Sequence, residues 1–416
     1  MQPPATSRTR PQGVARGVAR RDVLRAGLAT TTAILAGCAA PATLGPSPTP
    51  ASASPTPAGP SPSIQPSPSA SAAPSPTLRE TIAGLLVIGF RGLTMDEVDA
   101  NVAALRDGLG GVILFSRDGV TGKEKNIASP DQLRALTKGL RALAGDRRIL
   151  IAIDQEGGEV ARLSPATGFP AFESEAEIGK TKDAAVALDF GRRLGRTLAD
   201  VDVNLNLAPV VDLNINPTNP AIGALDRSFS ADPAIVSDLA LAEIEGHHES
   251  GVGTTVKHFP GLGSATVNTD SGIADGSRTW TDVELEPYRR LISSGQLDVV
   301  MAGHIIVERL GGSTPASLSP AIVTDLLRGQ LGWTGPVITD SLEATAILAS
   351  HTLEEAMALA IEAGNDILLL ANQKPYDTHL ATRAIDAIEG HVTSGRITRE
   401  RLDASRARIA TLLARI

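Results

Sequence analysis

Gly332-Trp333-Thr334-Gly335-Pro336-Val337-Ile338-Thr339-Asp340-Ser341-Leu342 is the stretch whose reading decides the fold. A short apolar run here ends in an acidic side chain, Asp340, just before a helical pattern begins. In a parallel α/β barrel, groups at the C-terminal ends of strands carry the chemistry. Thr339-Asp340-Ser341 also suits the plainer task of capping a helix, since Ser, Thr and Asp are favoured N-caps. Repetition favours the barrel: polar or charged residues end apolar runs again at Asp154, Asp212, Lys257-His258 and His304.

Outward from this segment, apolar runs of strand length lie at 85–90, 111–115, 149–154, 203–211, 254–258, 299–306, 336–340 and 366–371. Helical periodicity fills the intervals at 96–107, 130–143, 183–200, 233–250, 281–294, 319–331 and 353–363, with further helix at 378–390 and 398–415. Eight strands alternating with helices predict an α/β fold, a (β/α)8 TIM-type barrel forming a single catalytic domain. A doubly wound open sheet is the rival. Against it, no Gly-x-Gly-x-x-Gly turn opens a helix after the first strand, and the polar strand ends are spread around the whole set.

The N-terminal region reads differently. Arg20-Arg21 precedes a mildly apolar run from Ala26 to Gly37 and then Cys38, the single Cys of the chain. The run is too short for a mature membrane span and reads as an export signal of twin-arginine character, with an ordinary secretion route also compatible. Leu35-Ala36-Gly37-Cys38 resembles a bacterial lipobox, which makes Cys38 the expected lipidation site. Residues 39–77 are almost entirely Pro, Ser, Ala and Thr, a composition that builds no core and reads as a tether. The expected organisation is therefore an export signal with lipobox (1–38), a tether (39–77) and a barrel domain (78–416). It places the domain on the outer side of the cell membrane, held by lipid.

A net charge of −8 without basic tracts argues against nucleic acid as a partner. The seven His are scattered, and His247-His248 fall on a predicted helix where neighbours point apart. No metal and no cofactor is expected.

Three further segments bring functional groups to the strand ends. Asp154-Gln155-Glu156-Gly157-Gly158-Glu159-Val160-Ala161-Arg162 pairs a carboxylate with a flexible Gly-Gly loop and a nearby Arg. Asp226-Arg227-Ser228-Phe229 and Lys257-His258-Phe259-Pro260-Gly261 add donors, with Gly and Pro fixing the backbone. His304 ends the sixth run.

Together with Pro315-Ala316-Ser317-Leu318-Ser319 and Gly335-Pro336-Val337-Ile338-Thr339-Asp340, these ordered motifs resemble the family 3 glycoside hydrolases, specifically their single-domain β-N-acetylglucosaminidase branch. The resemblance spans nearly all of 78–416 and leaves no room for the second α/β domain carried by the β-glucosidases of the family. It implies a retaining β-glycosidase acting on a carbohydrate, with N-acetylglucosaminides of the cell envelope or of exogenous chitin-like oligomers as the expected substrates. Asp340 would be the nucleophile; Asp154, Arg227, Lys257, His258 and His304 would line the glycone subsite, with Arg162 beside them. Lys257 and the imidazoles are expected to hold Asp340 ionised, since a nearby opposite charge lowers a carboxyl pKa.

One loop departs from the branch. Its relatives carry His-Gly-Asp-Thr and then Asp-Ser-His after the Lys-His-Phe-Pro-Gly motif, and the Asp-His pair serves as acid/base. Here Leu262 to Gly272 contains no His. Aligned without gaps, Asn268-Thr269-Asp270 replaces Asp-Ser-His; shifted by two, Asp270-Ser271-Gly272 does. Asp270 is thus the first candidate acid, Asp275 the second, and loss of the acid would leave a glycan-binding lipoprotein. Phosphorolysis, associated with a His acid/base, is disfavoured by its absence.

Overall fold

The computed structural model describes residues 76–416; the expected export signal, Cys38 and nearly all of the tether lie outside the described residues. Eight parallel strands follow one another as β1 (Leu86–Gly89), β2 (Gly111–Leu114), β3 (Leu150–Ile153), β4 (Leu205–Asn206), β5 (Gly253–Phe259), β6 (Val299–Ala302), β7 (Val337–Thr339) and β8 (Leu368–Leu370). From β1 to β7 each pairs with its sequence neighbours, and β8 pairs with β1. A parallel bridge between Ile338 and Ile367 joins β7 to the approach of β8 and closes the ring. The result is the expected (β/α)8 barrel.

Helices α1 (Pro130–Ala144), α2 (Ala184–Ala199), α3 (Pro233–His248), α4 (Glu286–Ser294), α5 (Ala321–Gln330), α6 (Leu353–Ala363), α7 (Leu380–Thr393) and α8 (Arg399–Arg415) surround it. Their starts are written locally. Ser129 caps α1 by accepting from the Gln132 amide, Gln132 returns the bond, and Pro130 occupies the first turn, where its missing N–H costs nothing. Asp232 caps α3 by accepting from the Ala234 amide, with Pro233 in the first turn.

The strands are Leu-, Ile- and Val-rich and buried on both faces, as a parallel sheet covered by helices requires. Burying one such side chain is worth about 1.5–3 kcal/mol, so this core carries the cost of gathering charges at the barrel mouth.

Two expected elements are shortened. The run at 203–211 gives only Leu205–Asn206 in regular pairing, with an isolated bridge at Val210 to Lys257. Pro209 has no N–H for the ladder. Asn204 and Asn206 make up part of the loss through their side chains, accepting from the amides of Ile151 at 2.8 Å and Gln155 at 3.0 Å. The helix at 96–107 contracts to Ala100–Ala103, because Leu105, Arg106 and Asp107 tighten into bonds three residues back. His247 and His248 do point apart: one meets Asn206 inside the protein and the other meets Asp298.

Candidate active site

Asp154 directly follows β3, and the chain then folds into a hairpin, Gln155–Gly157 against Val160–Ala161. Gly157 and Gly158 have φ of +95° and +54°. A Cβ on Gly157 would lie 2.1 Å from the Glu173 carbonyl oxygen, so the turn that presents Glu156 requires glycine.

Lys257, in β5, places its Nζ 2.9 Å from Asp154 Oδ1 and 2.6 Å from Glu156 Oε1. Arg227 donates from Nε and a terminal nitrogen to the two oxygens of Glu156, at 2.7 and 2.8 Å. Arg162 donates to Asp154 at 3.2 Å. Three cations therefore hold two carboxylates. Burial opposes ionisation of Asp154, but the charges of Lys257 and Arg162 override it and hold the carboxyl well below its usual range. Glu156 is likewise penalised by burial, yet Arg227 and Lys257 bring it down to about 2. Burial works against the Lys257 ammonium too, and Asp154 and Glu156 still raise its pKa. The cluster stays fully ionised at neutral pH and offers fixed acceptors and donors to a polyhydroxylated ligand.

His258 stands on the same strand. Its Nδ1 lies 2.7 Å from Asp212 Oδ2, and Asp212 also accepts from the His258 and Leu262 amides. With Nδ1–H committed to that carboxylate, Nε2 is the ring nitrogen left for a ligand.

Asp340 emerges from β7. Its amide donates to the Ala302 carbonyl at 2.9 Å, and its Oδ1 accepts from the Ser341 amide at 2.7 Å. Asp270 arrives on the long loop after β5. The residue as a whole is exposed, but its carboxyl faces enough protein for loss of water to raise its pKa, and the Asp340 charge raises it further. His304, Arg227 and His258 pull the other way without reversing the shift.

Asp154, Arg162, Arg227, Lys257, His258, Asp270 and Asp340 all line one cavity of about 750 Å³ at the barrel mouth, within the roughly 300–1,000 Å³ usual for small-molecule sites. Among the described residues, no three His, Cys, Asp or Glu side chains are grouped to hold a metal ion.

Three expectations need correcting. His304 is buried beside the cavity and not part of its wall: Nδ1 meets Ser317 Oγ and Nε2 donates to the Ser341 carbonyl, both at 2.8 Å. It supports the turn after Asp340 and does not face the glycone space. Lys257 spends its ion pairs on Asp154 and Glu156, not on Asp340. Asp275 lies outside the cavity lining, exposed, with its carboxyl accepting from the Ser277 amide. The Ser277 bonds lower its pKa, which is the wrong direction for an acid.

Three side chains of the site, Glu156, Glu343 and Glu284, escaped the sequence reading, and a fourth, Asp212, was marked there only as the charged end of an apolar run. Glu156 is the hub of the charge cluster, and its spacing of two from Asp154 was the available signal. Asp212 fixes the His258 ring. Glu343, three residues after Asp340, lines the cavity with its carboxyl pushed up by burial. Glu284 holds the Gly263 amide and the Ser264 hydroxyl under the Asp270 loop, and nothing in its local sequence marks it.

Residues 77–412 match the glycosyl hydrolase family 3 N-terminal domain. The chain belongs to glycoside hydrolase family 3. It is similar to a β-hexosaminidase from Tolumonas auensis, 34% identical over 70% of this chain and 84% of the relative. It is also similar to β-hexosaminidase A from Pseudoalteromonas piscicida, 32% identical over 74% of this chain and 54% of that protein. A solved family 3 β-N-acetylglucosaminidase from Paenibacillus sp. superposes with a TM-score of 0.74 at 33% identity, covering 82% of this chain and 63% of that one. The chain thus spans little more than half of some family 3 relatives and most of others.

Proposed function

We propose that this family 3 enzyme is a retaining β-N-acetylhexosaminidase working through a covalent glycosyl-Asp340 intermediate, with Asp270 as acid/base. The observation that carries the reading is the pairing of two carboxyl groups with different environments in one cavity. Asp340 and Asp270 line the same cavity, and loss of water and the Asp340 charge raise the pKa of Asp270. Environments that separate two carboxyls in this way define acid and nucleophile in glycosidases.

In the first step Asp270 gives its proton to the glycosidic oxygen as the bond from that oxygen to the anomeric carbon breaks. The Asp340 oxygen forms the new bond to that carbon. In the second, Asp270, now ionised, takes a proton from water as the water oxygen attacks the same carbon and Asp340 leaves as carboxylate. Asp154, Arg162, Lys257, His258 and Arg227 hold the glycone, directly or through Glu156. The β-hexosaminidase names of the relatives support an N-acetylhexosaminide as that sugar.

Export and lipidation at Cys38, with the domain tethered to the outer face of the cell membrane, complete the proposal; the lipobox-like Leu35-Ala36-Gly37-Cys38 and the spacer composition support it. Trapping with a 5-fluoro N-acetylhexosaminyl fluoride, which keeps the acetamido group at C2, followed by peptide mapping tests the chemistry: the label is expected on the peptide containing Asp340, and a label elsewhere sinks the assignment.

A further inference from the structure

Every hydrogen bond Asp270 makes among the described residues is a main-chain one. Its amide donates to Asn268 Oδ1 at 2.9 Å, and its carbonyl accepts from Thr345 Oγ at 2.7 Å. The position of its carboxyl therefore depends on where its backbone is pinned. Asn268 only shapes the loop internally, its carbonyl taking the Ser271 and Gly272 amides at 3.0 Å. The loop's flanks are held elsewhere, at Ala265 by Asn216 and at Ala274 by Ile306, and between them, over 266–273, the hydrogen bonds to the rest of the protein come from one segment, the turn after β7. There Thr345 bonds Asp270, and the Ala346 amide donates to the Thr269 carbonyl at 3.0 Å. Thr269 and Ala346 are buried, 3% and 2% exposed, so the second bond is shielded from water and anchors the first. Thr345 stands five residues after Asp340, whose own backbone is fixed to β6 through Ala302.

We propose that Thr345 is a positioning residue for Asp270: its hydroxyl clasps the loop bearing the acid to the segment bearing the nucleophile and so sets the separation of the two carboxyls. The inference rests on the acid/base role of Asp270. A retaining pair must sit about 5–5.5 Å apart to work, and an acid on a long loop meets that requirement only if the loop is held. The clasp also keeps Asp270 within the field of Asp340, against which the charges of His304, Arg227 and His258 act in the opposite sense.

The test compares Thr345→Val, which keeps shape and removes the donor, with Thr345→Ser, which restores it, and with Asp270→Ala. The full enzyme is assayed on an N-acetylglucosaminide oligosaccharide and on an aryl glycoside with a strongly acidic leaving group. Loss of one hydrogen bond should lower kcat/KM about three- to tenfold on the oligosaccharide. On the activated aryl glycoside, whose departure needs no proton, kcat/KM should not move. The alkaline limb of the pH profile should shift to lower pH, because an acid drifting from Asp340 loses part of its raised pKa. Thr345→Ser should recover both. An equal loss on both substrates, or an unshifted alkaline limb, overturns the clasp. If Asp270→Ala shows the leaving-group dependence and Thr345→Val matches wild type, the clasp fails and the acid assignment stands. If Asp270→Ala matches wild type on both substrates, the acid assignment falls and the clasp with it.

Discussion

Arg227 grips Glu156 through two hydrogen bonds, 2.7 and 2.8 Å long, between side chains that are 13% and 1% exposed. The same carboxylate takes Lys257 at 2.6 Å. One residue, itself turned into place by Gly157 and Gly158, thus pairs with two of the three cations of the cluster.

Glu156→Ala should therefore destabilise the fold by about 3–5 kcal/mol, the usual cost of removing one member of a buried pair and leaving the other charge unmatched. Urea denaturation reads the loss, and a change under about 1 kcal/mol would show that Arg227 and Lys257 find other partners.

Asp340→Asn should abolish turnover of every glycoside and leave the melting temperature nearly unchanged. The amide oxygen can still accept from the Ser341 amide, but the amide cannot form the glycosyl ester. More than a few per cent of wild-type activity, measured after excluding contamination by wild-type enzyme, would contradict the nucleophile assignment.

Asp270→Ala should slow substrates with poor leaving groups by roughly 10²–10⁴. Activated aryl glycosides should form the glycosyl-enzyme almost normally and then stall for want of a base. Added azide, which needs no base, should restart the second step and yield a β-glycosyl azide. Absence of both the stall and the azide product would return Asp270 to the status of a loop residue.

Burial raises the Glu284 carboxyl from the usual 4.5 to about 7. A raised folded-state value means that the fold favours the protonated acid. Its contribution is present in full below pH 4.5 and is lost as pH climbs through 7, by roughly 3 kcal/mol over that window. Glu175 and Glu243, raised mainly by burial, slope the same way. Glu284→Gln should flatten the decline in stability between about pH 5 and 8 relative to wild type. Parallel curves from urea titrations at several pH values would show that Glu284 does not titrate in this range.

Cys38→Ala should release the domain from the membrane fraction, since the anchor proposed at this residue would be missing. Retention after a salt wash would point to a tightly bound partner in place of a lipid.

The barrel was legible because its causes are local. Period and composition mark a buried parallel strand at 336–340 as clearly as at 111–115, and Ser129-Pro130 or Asp232-Pro233 announce a helix start within four residues. Asp340 and Asp154 were legible for the same reason: a charged side chain at the end of an apolar run has little other explanation once eight such runs alternate with helices. What the tertiary structure alone decided is partnership. Asp154 and Lys257 are 103 positions apart and Arg227 and Glu156 are 71 apart, and closure of the ring brings their strand ends together. Local pattern says that Lys257 reaches the mouth but not which carboxylate meets it, so it was assigned to Asp340 and lies on Asp154 and Glu156. His304 went astray likewise, because the carbonyl and hydroxyl that claim its ring come from Ser341 and Ser317, on other turns. The Asp270 loop shows the division most clearly. Its sequence shows that the family His is missing, and only the fold shows Thr345 and Ala346 bonding the main-chain carbonyls of Asp270 and Thr269, because a hydrogen bond spanning 75 residues leaves no trace in local pattern.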